Sequence, residues 1–238
     1  MKQRSLAGDG GLRSIGSPPA TPRSPSLPSG GEGDAPTPDA RTRLLIGVAL
    51  AGGDSRRMGS DKMALDLGGE TLPALAAGRL AAVCSEVAIA DRGRRLVPGY
   101  RSLEDAAVEG PAAGILGAAR AYPGSLLLVL ACDLPRIPLA LLAELAASSD
   151  CDWAVPRWRR GLEPLCALYG PAALDALARL AARGLPAPHR LGDAGGLAIR
   201  YVDEPELARH GALEDLFLNV NTPADLARWR RLDPADAR

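Results

Sequence analysis

Two apolar runs constrain this 238-residue chain more than any other feature. The first is Leu44-Leu-Ile-Gly-Val-Ala-Leu50, and the second fills Ser125–Ala131 with Leu126-Leu-Leu-Val-Leu-Ala. Each has the length of a strand and is apolar at successive positions rather than alternate ones, so both faces need cover. Sheets of parallel strands packed between helices meet that demand. Each run also stops at turn residues, Gly52-Gly53 after the first and Cys132-Asp133-Leu-Pro135 after the second. In such sheets ligands bind beyond the carboxyl ends of the strands, where both turns fall.

The remaining pattern alternates helix and strand. Helices are predicted over Thr71–Ala82, Pro111–Ala121 with a proline in its first turn, Leu139–Ala147, Leu174–Ala182 and Ala224–Arg231. Further strands are predicted at Met63–Leu67 before a Gly68-Gly69 turn, at Glu86–Ala90, at the strand end Ser102–Asp105 and at Leu197–Val202. Trp153–Pro156 and Leu165–Tyr169 flank an Arg-rich turn and resemble a hairpin. The expected fold class is therefore α/β: a Rossmann-like three-layer α/β/α arrangement with a mostly parallel sheet and a small hairpin insertion. Residues 1–42 are rich in Gly, Pro and Ser and predict a disordered tail without the apolar core of a signal peptide. The domain is expected over 43–232, with 233–238 as a short C-terminal tail.

Composition narrows the function. Hydrophobic residues make up 47% but aromatics only 3%, so the core must be built from Leu, Val, Ile and Ala. The formal net charge is zero and short basic runs such as Arg157-Trp-Arg-Arg160 form no extended stripe, which argues against nucleic acid as a partner. Cys84, Cys132, Cys151 and Cys166 lack CxxC spacing and read as reduced, mostly buried thiols of a cytoplasmic protein. No apolar stretch reaches the length of a membrane span.

Lys occurs only at positions 2 and 62, and Asn only at 219 and 221. Lys62 closes Leu50-Ala-Gly-Gly-Asp-Ser-Arg-Arg-Met-Gly-Ser-Asp-Lys, while the two Asn lie in Asn219-Val-Asn-Thr-Pro-Ala-Asp225. Lys is a compact point charge and Arg a planar fork, so a lone Lys beside a glycine turn suits a phosphate. Gly52 and Gly53 allow a sharp turn that brings N–H groups close to an anion, and Arg57 and Lys62 add charges suited to a triphosphate. The loop is not a P-loop, because Ser60 stands after Gly59 where a Lys is required, and GxGxxG is absent. No Ser/His/Asp or Cys/His arrangement suggests a covalent intermediate. His189 and His210 lack ligand spacing and receive no chemistry.

This loop resembles the signature of the molybdenum cofactor guanylyltransferase family, within the nucleotidyltransferases that include molybdopterin cytidylyltransferases and sugar-phosphate nucleotidyltransferases. Four further segments resemble that family in the same order: Gly110-Pro-Ala-Ala-Gly114, Cys132-Asp-Leu-Pro135, Glu163-Pro-Leu165 and Phe217-Leu-Asn-Val-Asn-Thr-Pro-Ala-Asp-Leu226. Together they span about residues 44 to 232.

The resemblance implies that Leu50, Ala51, Gly52, Gly53, Arg57 and Lys62 hold a nucleoside triphosphate. It implies that Asp133 is a Mg²⁺ ligand, completed by Asn221 as first choice and Asn219 as second. Mg²⁺ is commonly held by one or two carboxylates plus phosphate oxygens, so the residue types fit. Asp133 could instead cap the next helix. Asp105 matches a second acidic position beside the nucleotide, or is a turn residue. Where the family places a base-contacting Asn, this chain has Asp91, whose carboxylate could accept hydrogen bonds from guanine or be only a loop charge. Arg190 and Arg157–Arg160 could meet a pterin phosphate or be solvated. The implied activity is transfer of GMP from GTP to the terminal phosphate of molybdopterin, with or without its metal, releasing pyrophosphate. GTP and molybdopterin are thus the expected partners, with a molybdoenzyme or another cofactor-biosynthesis protein downstream. CTP as donor, a sugar phosphate as acceptor, and a non-catalytic delivery protein are the alternatives.

Overall fold

The computed structural model describes residues 43–52 and 70–232. The expected strand at Met63–Leu67 and its Gly68-Gly69 turn lie outside the described residues, as do both tails. The first apolar run forms β1 (Leu45–Leu50) and the second forms β4 (Leu126–Ala131), hydrogen-bonded side by side in parallel. On the other edge of β1 lie β2 (Glu86–Ala90) and then β3 (Arg101–Leu103), also parallel. All six residues of β4 are buried, which explains its unbroken apolar sequence.

The chain covers both faces of this sheet. Helix α1 (Leu72–Ala81), capped by Thr71 and with Pro73 in its first turn, packs Leu72, Ala76 and Leu80 on one face. Gly47 in β1 explains how close it comes: a Cβ there would lie 2.9 Å from Leu80 Cβ. Helix α3 (Leu139–Ala147) covers the same face with Leu141, Leu142 and Leu145. Helices α2 (Ala112–Ala121) and α4 (Pro171–Ala182) cover the opposite face, where Ile46, Val48, Leu127 and Val129 point. Two separate apolar clusters, one on each side of the sheet, make the three layers expected from sequence.

The second half departs from the expected hairpin insertion. Strands β5 (Trp153–Trp158), β6 (Gly161–Leu162) and β7 (Cys166–Tyr169) do form an antiparallel turn-back, but they belong to the main sheet, in which β7 pairs with β4. Their burial is the reason: Trp153, Val155, Ala167 and Tyr169 extend the α4-side core, and Ala154, Cys166 and Leu168 extend the other. The return limb is also interrupted. Arg157 pairs with Leu162 and Trp153 with Tyr169, so four steps along β5 face seven along the return. The surplus, Glu163-Pro164-Leu165, bulges out of the ladder. A final strand, β8 (Ile199–Asp203), joins β5 in parallel, so β6 and β7 run against the other six strands of the eight described.

Sequence periodicity missed a 3-10 turn at Pro188–Asp193 and the one-turn helices α5 (Glu204–Leu207) and α6 (Leu213–Leu216), which are too short to show a period. Helix α7 (Pro223–Arg231) closes the described chain. No described helix is long and apolar enough to cross a membrane. Cys84, Cys132 and Cys166 are buried and Cys151 is partly buried; burial pushes the Cys84 thiol up to about 12.

Candidate active site

The strand order places β1 between β2 and β4: the chain moves outward from β1 to β2 and β3 with α1 on one face, then crosses back with α2 on the other face to β4. That reversal opens a crevice at the carboxyl ends of β1 and β4. The end of β1 is held over the crevice from both sides. Ala51 N–H donates to Ala90 O at 2.9 Å, and Cys132 N–H donates to Leu50 O at 3.1 Å. Leu50, Ala51 and Gly52 therefore lie at the crevice, as expected; Gly53, Arg57 and Lys62 lie outside the described residues.

Asp105 faces Gly52. A Cβ on Gly52 would sit 3.6 Å from Asp105 Oδ2 and 3.7 Å from Arg92 Nε, and one on Gly114 would sit 3.6 Å from Asp105 Oδ1. Gly52 and Gly114 thus bring backbone close around the carboxylate as a glycine cradle, and at Gly114 a Cβ would also press on Leu50 Cδ2 at 3.0 Å and Ala90 Cβ at 3.1 Å. Arg92 Nε donates to Oδ2 at 3.0 Å, while the buried Oδ1 has no partner among the described residues. Gly117 fixes the height of this carboxylate: a Cβ there would come within 2.2 Å of the Glu104 carbonyl oxygen, so α2 can seat against the end of β3 only with glycine at this position. Gly114 and Gly117 thus have packing duties as well as any ligand role.

Asp91 behaves differently from the sequence expectation. It is fully buried, and its Oδ2 accepts from Leu96 N–H at 2.8 Å while its Oδ1 accepts from the Ser102 hydroxyl. With both oxygens engaged in building the loop after β2, the carboxylate does not face a base in this conformation. That loop carries Arg92 and Arg95 at φ 61° and 54°, left-handed positions that need such support. Arg94 ties it to the end of β1: Nε donates to Asp91 O at 2.9 Å and Nη2 donates to Ala51 O. Nothing local in the sequence announced Arg94.

Asp133 follows β4 directly and is partly exposed between buried Cys132 and Leu134. The N-cap position of α3 is Pro138, so Asp133 does not cap that helix. Val220 N–H donates to Asp133 O at 2.9 Å, which brings Asn219 and Asn221 to either side of this tether. The segment is stiffened beyond it by a capping box. Asp225 Oδ2 accepts from Asn221 N–H at 3.1 Å, Thr222 N–H at 2.8 Å and Thr222 Oγ1 at 2.8 Å. Burial opposes ionisation of Asp225, but the Thr222 and Asn221 bonds outweigh it and hold its carboxyl below the usual range. Before the tether, buried Phe217 stacks on Trp158 with ring centroids 5.4 Å apart.

Beside Asp133 opens a cavity of about 660 Å³, walled by Leu134, Glu163, Pro188, His189, Arg190 and Asn219 among others. Arg190 and Asn219 therefore line one cavity, and His189, for which no chemistry was expected, lines it with them. Glu163 was legible only as part of a motif; its position comes from the bulge. Its Oε1 accepts from Trp158 Nε1 at 2.8 Å. Burial, reinforced by the nearby charge of Asp133, pushes its carboxyl upward against the opposing pull of Trp158 and Arg160. The Arg-rich turn is largely committed elsewhere. Arg157 makes a two-pronged pair with Asp203 at 2.7 and 3.0 Å and stacks over Tyr201, and Arg159 pairs with Glu214. His210 bonds Glu144 at 2.8 Å, away from the crevice.

Among the described residues no group of three or more His, Cys, Asp or Glu could hold a metal. Asp133 carries one carboxylate, and the segment tethered to its backbone carries two Asn amides, residue types that would suit a hard cation sharing its shell with phosphate and water.

A family model described as the MobA-like NTP transferase domain matches residues 47–194. The probable molybdenum cofactor guanylyltransferase of Pelotomaculum thermopropionicum is 38% identical over 192 residues, 77% of this chain and 91% of that protein. The molybdenum cofactor guanylyltransferase of Cereibacter sphaeroides is 35% identical over 206 residues, 81% and 99% of the two chains. The crystal structure of molybdopterin-guanine dinucleotide biosynthesis protein A from Archaeoglobus fulgidus superposes with a TM-score of 0.67 at 25% identity, covering 79% of this chain and 98% of that one. The chain thus belongs to the MobA-like NTP transferase family, among its molybdenum cofactor guanylyltransferases.

Proposed function

We propose that this enzyme transfers GMP from GTP to the terminal phosphate of molybdopterin, releasing pyrophosphate and forming the guanine dinucleotide cofactor. The observation that carries the reading is the cradle at Asp105. Its buried Oδ1, without a partner among the described residues, wants a donor, and guanine offers N1–H and N2–H₂ where cytosine offers only its amino group beside an acceptor nitrogen. A site that leaves buried polar groups unpaired with the wrong base discriminates strongly. Base reading is therefore assigned to Asp105, with Arg92 holding its other oxygen, instead of Asp91.

The triphosphate then runs from the cradle across Leu50–Gly52 toward Asp133, with Arg57 and Lys62 from the loop that leaves Gly52 meeting its charge. The acceptor fills the cavity on the far side of Asp133, where Arg190 and Asn219 approach its phosphate. An acceptor phosphate oxygen attacks the α-phosphorus of GTP; the new P–O bond forms as the bond to pyrophosphate breaks. A phosphate is already ionised near neutrality, so no strong general base is needed. Alignment of the two substrates and charge neutralisation carry the rate. Asp133 and Asn221 would hold Mg²⁺, with Asn219 as a further amide donor. When bound, the ion offsets phosphate charge. The enzyme is expected to work in the cytoplasm and to hand its product to a molybdoenzyme or to another protein of cofactor biosynthesis.

The test is pyrophosphate release with each of the four nucleoside triphosphates, with and without molybdopterin. Release that requires GTP and molybdopterin together supports the assignment. A preference for CTP would overturn the base assignment while keeping the transfer chemistry.

A further inference from the structure

Glu163 is the carboxylate that the fold delivers to the acceptor cavity with most care. Its backbone is clamped on both sides of the bulge, Glu163 N–H donating to Pro156 O and Cys166 N–H donating to Glu163 O, each at 3.0 Å. Its Oε1 is fixed by the indole of Trp158, which is 4% exposed and stacked on buried Phe217. A half-buried carboxylate so oriented lines the cavity while retaining acceptor capacity. It would repel a phosphate, so the part of an acceptor beside it must carry hydrogen-bond donors. Arg190 and Asn219 supply the opposite chemistry in the lining of the same cavity.

Resting on the transfer proposed above, we infer that Glu163 is the specificity-determining residue for the acceptor, accepting two hydrogen bonds from the 2-amino-4-oxopyrimidine edge of its pterin ring. That edge presents N3–H and the 2-amino group side by side, spaced for one carboxylate. Trp158 is a positioning residue: it touches no substrate but orients the carboxylate that does. Guanine carries the same edge, so the two substrates present one chemistry to two carboxylates. Asp105 takes it from the nucleotide at the β1–β3 side of the crevice, and Glu163 takes it from the acceptor at the β4–β7 side. The separation explains why one fold holds two half-buried acids that do not share a ligand.

The experiment is a pair of binding titrations on the full chain, one with fluorescent 6-hydroxymethylpterin and one with GTP. E163Q keeps the side-chain volume and an acceptor for Trp158, so it should fold. It also turns an amide N–H₂ toward the pterin donors, so pterin affinity should fall at least tenfold while GTP affinity stays within twofold. D105N should show the reverse pattern. W158F should weaken pterin binding several-fold with GTP binding kept. Equal pterin affinity in wild type and E163Q would overturn the inference, as would the absence of saturable pterin binding by wild type. A loss of GTP binding in E163Q equal to the loss of pterin binding would also overturn it, since the carboxylate would then serve the whole crevice. The pyrophosphate-release assay judges the transfer reaction independently, because neither titration involves turnover.

Discussion

Replacing Asp91 by Ala separates two roles that the sequence could not, base reading and loop building. Its two oxygens accept from Leu96 N–H at 2.8 Å and from the Ser102 hydroxyl in a fully buried position. Hydrogen bonds to a charged group contribute about 1.5–3 kcal/mol each, so the pair accounts for about 3–6 kcal/mol, less whatever water recovers at the half-buried donors. The loop also holds Arg92 and Arg95 in left-handed conformations, and releasing its anchor removes what over-determines them. Asp91→Ala should therefore lose about 3–4 kcal/mol in urea denaturation followed by circular dichroism. Asp91→Asn keeps one acceptor and a shape match, and should lose only about 1–2 kcal/mol. Both variants should keep the GTP/CTP ratio of kcat/KM, measured where they are folded, because the carboxylate does not meet the base. The reasoning fails if Asp91→Ala is as stable as wild type within 0.5 kcal/mol, roughly the scatter of neutral substitutions. It fails equally if the variant loses its GTP preference while Asp105→Asn keeps it.

Gly117→Ala would push a methyl group against the Glu104 carbonyl, and should cost about 2–3 kcal/mol by overpacking and raise KM for the nucleotide as Asp105 shifts; unchanged stability and KM would refute the seating of α2. Lys62→Ala should slow transfer roughly a hundredfold by removing charge stabilisation, with Lys62→Arg a partial rescue; a wild-type rate would remove the loop from the triphosphate site. Glu163 has its carboxyl raised by burial, so the native state binds its proton more tightly than the unfolded chain. Native stability therefore falls as pH rises from the ordinary carboxylate value through the folded one, and the penalty persists above it. Glu163→Gln should accordingly raise Tm at pH 8 and leave it nearly unchanged at pH 4; a lower Tm at pH 8 would contradict that sign.

The two apolar runs did settle the centre of this protein. A strand apolar at successive residues has to be covered on both faces whatever its neighbours are, so β1 and β4 and the layers around them follow from local pattern alone. Turn residues at their ends located the crevice for the same reason, since the chain must leave a strand where Gly52 and Pro135 stand. The fates of individual polar groups did not follow. Asp91 bonds Ser102 eleven residues on, Arg157 pairs with Asp203 forty-six residues on, and Asp133 is tethered by Val220 from the far end of the domain. Hydrophobic periodicity is written along the chain, whereas a polar side chain is satisfied by whichever donor or acceptor folding brings within about 3 Å, and sequence order carries little information about that. The bulge at Glu163 shows the distinction most clearly. Its three surplus residues could be read as a family segment but not as a bulge, because a bulge is a mismatch between two strands and exists only once Trp153 has found Tyr169 and Arg157 has found Leu162.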